Sequence, residues 1–126
     1  MERTIAVIDD SVTIRSILRK ALMMSDIGAK EVLEADNGLD GLELIKRSKE
    51  KLNLVVMDLK MPKMDGISML TELRNAGILD IPILVLSSTA DQQMQEKCKS
   101  LGAAAFLKKP FSHEDFKNVL DRILSK

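Results

Sequence analysis

Residues Asn53–Gly66 read NLVVMDLKMPKMDG, and this stretch decides the fold. Leu54, Val55, Val56 and Met57 form an unbroken apolar run, too short to span a membrane and rich in strand formers, and Asp58 stops it abruptly. After the acid come Lys60, Pro62, Asp65 and Gly66, so the chain must turn, and Pro62 bars a simple continuation of strand or helix. A carboxylate at the carboxyl end of a buried parallel strand stands at the mouth of the sheet, where open α/β folds place their ligands. For a lone aspartate, a helix cap or a solvated turn acid is the plainer account. The weight of Asp58 therefore depends on whether other segments lead to the same place.

They do. Before this strand, Thr4–Ile8 is another apolar run, ended by the pair Asp9 and Asp10, and Ser11 is placed to cap a helix. Ile14, Ile17, Leu18, Ala21 and Leu22 recur at helical spacing and predict one buried face. Gly28 closes that region, and Glu31–Ala35, of mixed polarity, predicts a strand at the edge of a sheet. Asn37 and Gly38 turn the chain into a second helix with Leu39, Leu42 and Ile45 inward. Past the opening stretch, Asp65 caps a third helix through Ile67, Leu70 and Leu73 to Gly77. Ile81–Leu86 is the third apolar run, ending in Ser87, Ser88 and Thr89; a helix with Ala90, Met94, Cys98 and Leu101 follows, to Gly102. Ala103–Leu107 is a fifth strand, and Lys108, Lys109, Pro110 and Phe111 lead to Ser112 and Asp115, a capping-box-like start for a last helix.

Five strands alternating with five helices imply an α/β fold, a doubly wound parallel sheet with right-handed crossovers and helices on both faces. The three wholly apolar strands belong at the centre and the other two at the edges, which fits the flavodoxin-like order 2-1-3-4-5 with its switch point between the first and third strands. A chain of 126 residues has the size of one domain, so 1–126 is expected to form a single unit. Nineteen lysines and arginines balance nineteen acids, which argues against a nucleic-acid partner or an anionic membrane surface. One cysteine, Cys98, excludes an internal disulfide and suits a reducing cytoplasm. No charged-then-apolar leader is read at MERTIAVIDD, so no signal peptide or membrane anchor is expected. Trp and Tyr are absent, which disfavours aromatic platforms for bases or flavins.

At the mouth of such a sheet Asp9, Asp10, Asp58, Ser87 and Lys109 converge. Crowded carboxylates repel, so one should hold a raised pKa or lean on Lys109. Magnesium removes the repulsion, because it favours carboxylate, carbonyl and water oxygens in an octahedron. Phosphoryl transfer to a carboxylate is the matching chemistry, with Asp58 as nucleophile.

The segments IAVIDDS, VVMDLKMPKMDG, PILVLSS and FLKKPF, in this order and spacing over nearly the whole chain, closely resemble the receiver domains of two-component response regulators, and among them the stand-alone CheY-type proteins. The resemblance implies that Asp58 accepts a phosphoryl group from a histidine kinase or phosphotransfer protein. It implies Mg2+, or Mn2+ in its place, held by Asp10 and Asp58 side chains and the Lys60 backbone carbonyl, with Asp9 acting through a water. Ser87, Lys109 and the Ser88 amide would contact the phosphoryl oxygens, and the Lys109–Pro110 bond would be cis. Ser87 and Phe106 would form the switch, read by a downstream protein on the helix 4, strand 5 and helix 5 surface. That makes the chain a phosphoacceptor signalling protein, not an enzyme acting on other substrates, expected to be a cytoplasmic monomer in chemotaxis or motility. A phosphorelay shuttle, or a module that only binds partners, is the alternative.

Phe106 carries no hydroxyl, so it is expected at least partly inward even without phosphate. Ser88 departs from the alanine or glycine more common at its position, and with Lys60 and Thr89 it is expected to tune the lifetime of the phosphoprotein. His113 beside a helix start reads as a solvated residue, Cys98 as core, and the methionines as packing. An aspartyl phosphatase would want a second acid where Lys60 stands. A flavodoxin would want a hydroxyl- and glycine-rich loop after the first strand.

Overall fold

The computed structural model describes residues 2–89 and 91–124, and strand and helix alternate throughout. The elements are β1 (Arg3–Ile8), α1 (Val12–Met24), β2 (Ala29–Ala35), α2 (Gly38–Ser48), β3 (Leu52–Asp58), α3 (Gly66–Asn75), β4 (Ile83–Ser87), α4 (Gln92–Ser100), β5 (Ala105–Lys108) and α5 (His113–Leu124). Every strand pairing is parallel, and the order is β2-β1-β3-β4-β5. This is the doubly wound α/β architecture that the alternation predicts, with β1, β3 and β4 central.

Because successive strand residues point to opposite faces, the apolar runs feed two cores at once. Ile5, Val7, Leu54 and Val56 meet Leu18, Leu22, Phe116 and Leu120 on the α1 and α5 side. Ala6, Ile8, Val55 and Met57 meet Leu42, Ile45, Leu70, Leu73 and Cys98 on the opposite side. Leu54 through Met57 are 0% exposed, which is why that run shows no polar alternation. Each large side chain so buried stabilises the fold by about 1.5–3 kcal/mol before conformational entropy is set against it.

Polar caps start each helix close to the end of the strand before it. Ser11, Asn37, Asp65 and Asp91 accept backbone N–H groups of Ile14, Asp40, Ser68 and Gln93, and Ser112 accepts that of Asp115. Gly77 (φ 75°) and Gly102 (φ 106°) end α3 and α4 in the left-handed region that glycine adopts without penalty.

Two inward placements expected from periodicity do not hold. Ile17 is 55% and Leu39 50% exposed. The buried stripe of α1 is centred on Leu18 and Leu22, and Ile17 lies about a third of a turn from it. That of α2 runs through Leu42, Leu44 and Ile45, leaving Leu39 on the far side. β2 begins at Ala29 rather than Glu31, and β5 at Ala105 rather than Ala103. Ala90, expected on the fourth helix, lies outside the described residues.

One close approach holds the loop after β3. A Cβ on Gly38 would stand 1.9 Å from the Met64 carbonyl oxygen, so the start of α2 packs directly on the backbone of that loop. Gly38→Ala is expected to destabilise the protein by about 1–3 kcal/mol, as overpacked sites do. Urea unfolding of the two proteins side by side measures the loss.

Candidate functional site

Strand register assembles the site. Ile8 pairs with Met57, so Asp9 and Asp58 emerge side by side from the ends of β1 and β3. Ser87 pairs with Lys108, and the next residue, Lys109, donates its backbone N–H to the Ser87 carbonyl at 2.7 Å. Lys109 is followed by the cis peptide bond to Pro110. Its side chain reaches across the end of β4, placing Nζ 3.3 Å from Asp9 Oδ2 and 3.3 Å from Asp58 Oδ2. Carboxylate oxygens of Asp9, Asp10 and Asp58 lie within 4.8 Å of one another.

The three acids sit in different environments. Asp9 is buried at 1% exposure, Asp58 is half-buried and Asp10 exposed. Burial pushes the Asp9 carboxyl above the usual carboxylate range, and the neighbouring Asp58 charge adds to this. The Ser11 N–H, which Asp9 Oδ1 accepts at 2.9 Å, and the Lys109 charge oppose it. Asp58 Oδ1 accepts the N–H of Leu59 at 2.8 Å, which fixes the carboxylate plane at the strand end. Three carboxylates with one lysine leave negative charge uncompensated. The donors are all hard oxygens, which fits a small divalent cation such as magnesium or manganese.

Two cavities flank the cluster. Lys60, Ser87 and Thr89 line one of about 360 Å³ together with Met61, Ile67 and Met94. Ser87 is buried, and its Oγ accepts the Thr89 N–H at 3.1 Å. Ser88 and Lys109 line the other, of about 420 Å³, walled by Ile14, Ile17, Pro110 and Phe111. Lys60, Ser88 and Thr89 are exposed, so all three rim the site without closing it. Phe106 stands apart on β5. It is half-buried against the core beside α4 and lines a separate cavity of about 380 Å³ with Cys98, Lys99 and Arg122. The ring is thus partly inward, as its missing hydroxyl predicts. Burial of Cys98 pushes its thiol up, away from reactivity.

The residue that sequence reasoning misses is Arg15. Its Nη1 donates to the Asp9 carbonyl oxygen at 2.7 Å and its Nε to Glu34 Oε1 at 2.8 Å. Glu34 is held below the usual carboxylate range, by its hydrogen bond from Arg19 first and by Arg15 as well. A signal existed in the spacing: Arg15 lies one helical turn past the cap Ser11, on a helix whose entry loop carries two acids.

The profile of the response regulator receiver domain matches residues 5–121 of this chain. The chain belongs to the response regulator receiver domain family. Among receiver proteins it is 31% identical over 120 residues to the probable chemotaxis protein CheY of Rhizobium etli, covering 94% of this chain and 90% of that protein. It is 39% identical to the probable transcriptional regulator ycf27 of Porphyridium aerugineum, covering 95% of this chain but only 47% of that protein. The match to the sensor histidine kinase CheAY of Helicobacter pylori, at 34% identity, covers 91% of this chain and 14% of that protein. The chain thus spans half or less of several curated relatives. Among solved receiver structures, CheY in a CheX-CheY-BeF3-Mg complex from Borrelia burgdorferi superposes with a TM-score of 0.90 at 22% identity, covering 98% and 90% of the two chains. The receiver domain of a putative NarL from Mycobacterium tuberculosis gives 0.85 at 28% identity, covering 99% and 98%. Among the described residues of this receiver, no helix is long and apolar enough to cross a membrane.

Proposed function

We propose that residues 1–126 act as a single receiver domain that takes a phosphoryl group on Asp58 and signals to a partner protein. The observation that carries this reading is Lys109 Nζ at 3.3 Å from both the Asp9 and Asp58 carboxylates, within a cluster whose three acids bring carboxylate oxygens within 4.8 Å of one another. Asp58 is the acid aligned for attack: Leu59 N–H holds one of its oxygens and Lys109 faces the other. In the transfer an Asp58 oxygen forms the new bond to phosphorus while the phosphorus–nitrogen bond of a phosphohistidine donor breaks. The imidazole nitrogen leaves with its electron pair and takes up a proton.

Asp10, Asp58 and the Lys60 backbone carbonyl would hold Mg2+ or Mn2+, with Asp9 acting through water. The ion would neutralise charge on the transferring group. Lys109, the Ser87 hydroxyl and the Ser88 backbone amide bind the phosphoryl oxygens. Movement of Ser87 towards them opens room for Phe106, which changes the surface of α4, β5 and α5 that the downstream protein reads. Lys60, Ser88 and Thr89, at the rim, set how readily water reaches the phosphoryl group and so its lifetime.

The donor is a histidine kinase or phosphotransfer protein, and the protein works as a cytoplasmic monomer. Chemotaxis or motility control is the pathway favoured, because the Rhizobium etli protein named for chemotaxis is matched over 90% of its own length. Incubation with acetyl phosphate and magnesium is expected to add the mass of one phosphoryl group to the intact protein, and chelation of the metal to prevent it. Unmodified mass with magnesium present would end the phosphoacceptor reading.

A further inference from the structure

We infer that Arg15 is a positioning residue that orients Asp10 by clamping the Asp9–Asp10 peptide. Asp9 has every polar group engaged. Its N–H donates to the Ala35 carbonyl at 3.1 Å, Oδ1 accepts from Ser11 at 2.9 Å, Oδ2 faces Lys109, and its carbonyl oxygen accepts from Arg15 at 2.7 Å. Asp10 differs: among the described residues no hydrogen bond holds its exposed side chain. What directs the Asp10 carboxylate towards the other two is the plane of the peptide unit before it, and the oxygen of that unit is the one Arg15 grips.

The grip is stiff because it is anchored at its far end. Arg15 is half-buried, with 15% of its side chain exposed. Its Nε donates to Glu34 at 2.8 Å on β2, and Arg19 holds the same carboxylate while donating to the Val32 carbonyl at 3.1 Å. A planar guanidinium with a fixed fork of donors can make both bonds at once, which a lysine ammonium on a flexible stem does less well. Glu34 also neutralises the guanidinium, so the contribution of Arg15 to the acid cluster is geometric rather than a further counter-charge. Arg15 touches no ligating atom itself, but groups that orient a metal ligand typically change metal affinity about 10–100-fold when lost, and the lower end of that range is expected here.

This inference rests on Asp10 being a metal ligand, and its test separates the two claims. In the metal-free protein, Arg15→Met is expected to speed amide hydrogen exchange of Ser11, whose N–H donates to Asp9 Oδ1, by about tenfold, a loss of local protection that needs no ion. With magnesium, Arg15→Met is expected to weaken binding about tenfold in a calorimetric titration. Phosphorylation by acetyl phosphate should slow at low magnesium and return to the wild-type rate at saturation. Glu34→Gln, which keeps the Arg15 bond to Asp9 but slackens its anchor, should show a smaller loss in the same direction and add nothing when combined with Arg15→Met. If Arg15→Met fails to fold, Arg15→Lys carries the same measurements with the same expected direction. Unchanged exchange at Ser11, or unchanged magnesium affinity beside a lowered melting temperature, would overturn the inference. If the wild-type protein itself takes up no magnesium, the metal reading falls, and the exchange measurement alone decides whether Arg15 holds the turn.

Discussion

In Asp58→Asn protein treated with acetyl phosphate and magnesium, the phosphoryl adduct is expected to vanish, and in Lys109→Met it is expected to form about 100–1,000 times more slowly. The two effects have separate causes. Asparagine keeps the size of Asp58 and can still accept the Leu59 N–H, but its amide offers no anionic oxygen to attack phosphorus. Methionine keeps most of the length of Lys109 while removing the only cation within 4 Å of the Asp9 and Asp58 carboxylates among the described residues. Charge arriving on the phosphoryl oxygens then meets carboxylates with no fixed positive group beside them. Neither change creates a void, since both sites open to solvent at the sheet mouth, so both proteins should remain folded. Initial rates by intact-mass spectrometry separate the outcomes. An adduct surviving on Asp58→Asn would move the acceptor to another acid of the cluster. A wild-type rate in Lys109→Met would reduce that lysine to a counter-ion of the folded state.

Most of this arrangement was legible because strands buried on both faces write themselves as unbroken apolar runs. Leu54–Met57, Ile81–Leu86 and Thr4–Ile8 read as central strands, and with β3, β4 and β1 in that place Asp58, Ser87 and Asp9 stand at one mouth. The caps were equally plain, since Ser11 and Asp65 precede apolar periodic segments and take the N–H groups of Ile14 and Ser68. The less legible parts depend on what covers a residue rather than on what it is. Ile17 and Leu39 are as apolar as Leu18 and Leu42, yet no neighbouring element lies over them, and spacing alone does not report that. Arg15 was missed for the opposite reason. A cation on an amphipathic helix usually faces water, and only the return of β2 beside α1 brings Glu34 within its reach and anchors its grip on the Asp9 carbonyl.

Asp9→Asn should make the metal-free protein more stable near neutral pH while abolishing its response to magnesium. Burial raises the Asp9 pKa above its ordinary value of 3.8, so the folded chain binds this proton more tightly than the unfolded chain does. In acid below 3.8 both states are protonated and the site costs nothing. As pH rises from there through the raised value, the folded state must ionise a carboxyl at 1% exposure beside Asp58, and stability is lost. The Ser11 N–H and Lys109 offset only part of this. Asparagine removes the charge and can still accept the Ser11 N–H, so the metal-free variant is expected to melt above wild type at neutral pH and level with it in acid. Lys109 keeps its contact with Asp58 in the variant, so no buried cation is left unpaired. Magnesium should reverse the ranking: at about 100 times its dissociation constant a ligand stabilises the form it binds by about 2.7 kcal/mol, which the variant forgoes. Calorimetric scans at neutral pH and in acid close to 3.8, with magnesium and with chelator, separate the ionisation effect from the magnesium effect. A metal-free Asp9→Asn protein that melts below wild type at neutral pH would show that the Lys109 and Ser11 contacts outweigh the desolvation of Asp9. The acid cluster would then be stable without an ion rather than held ready for one.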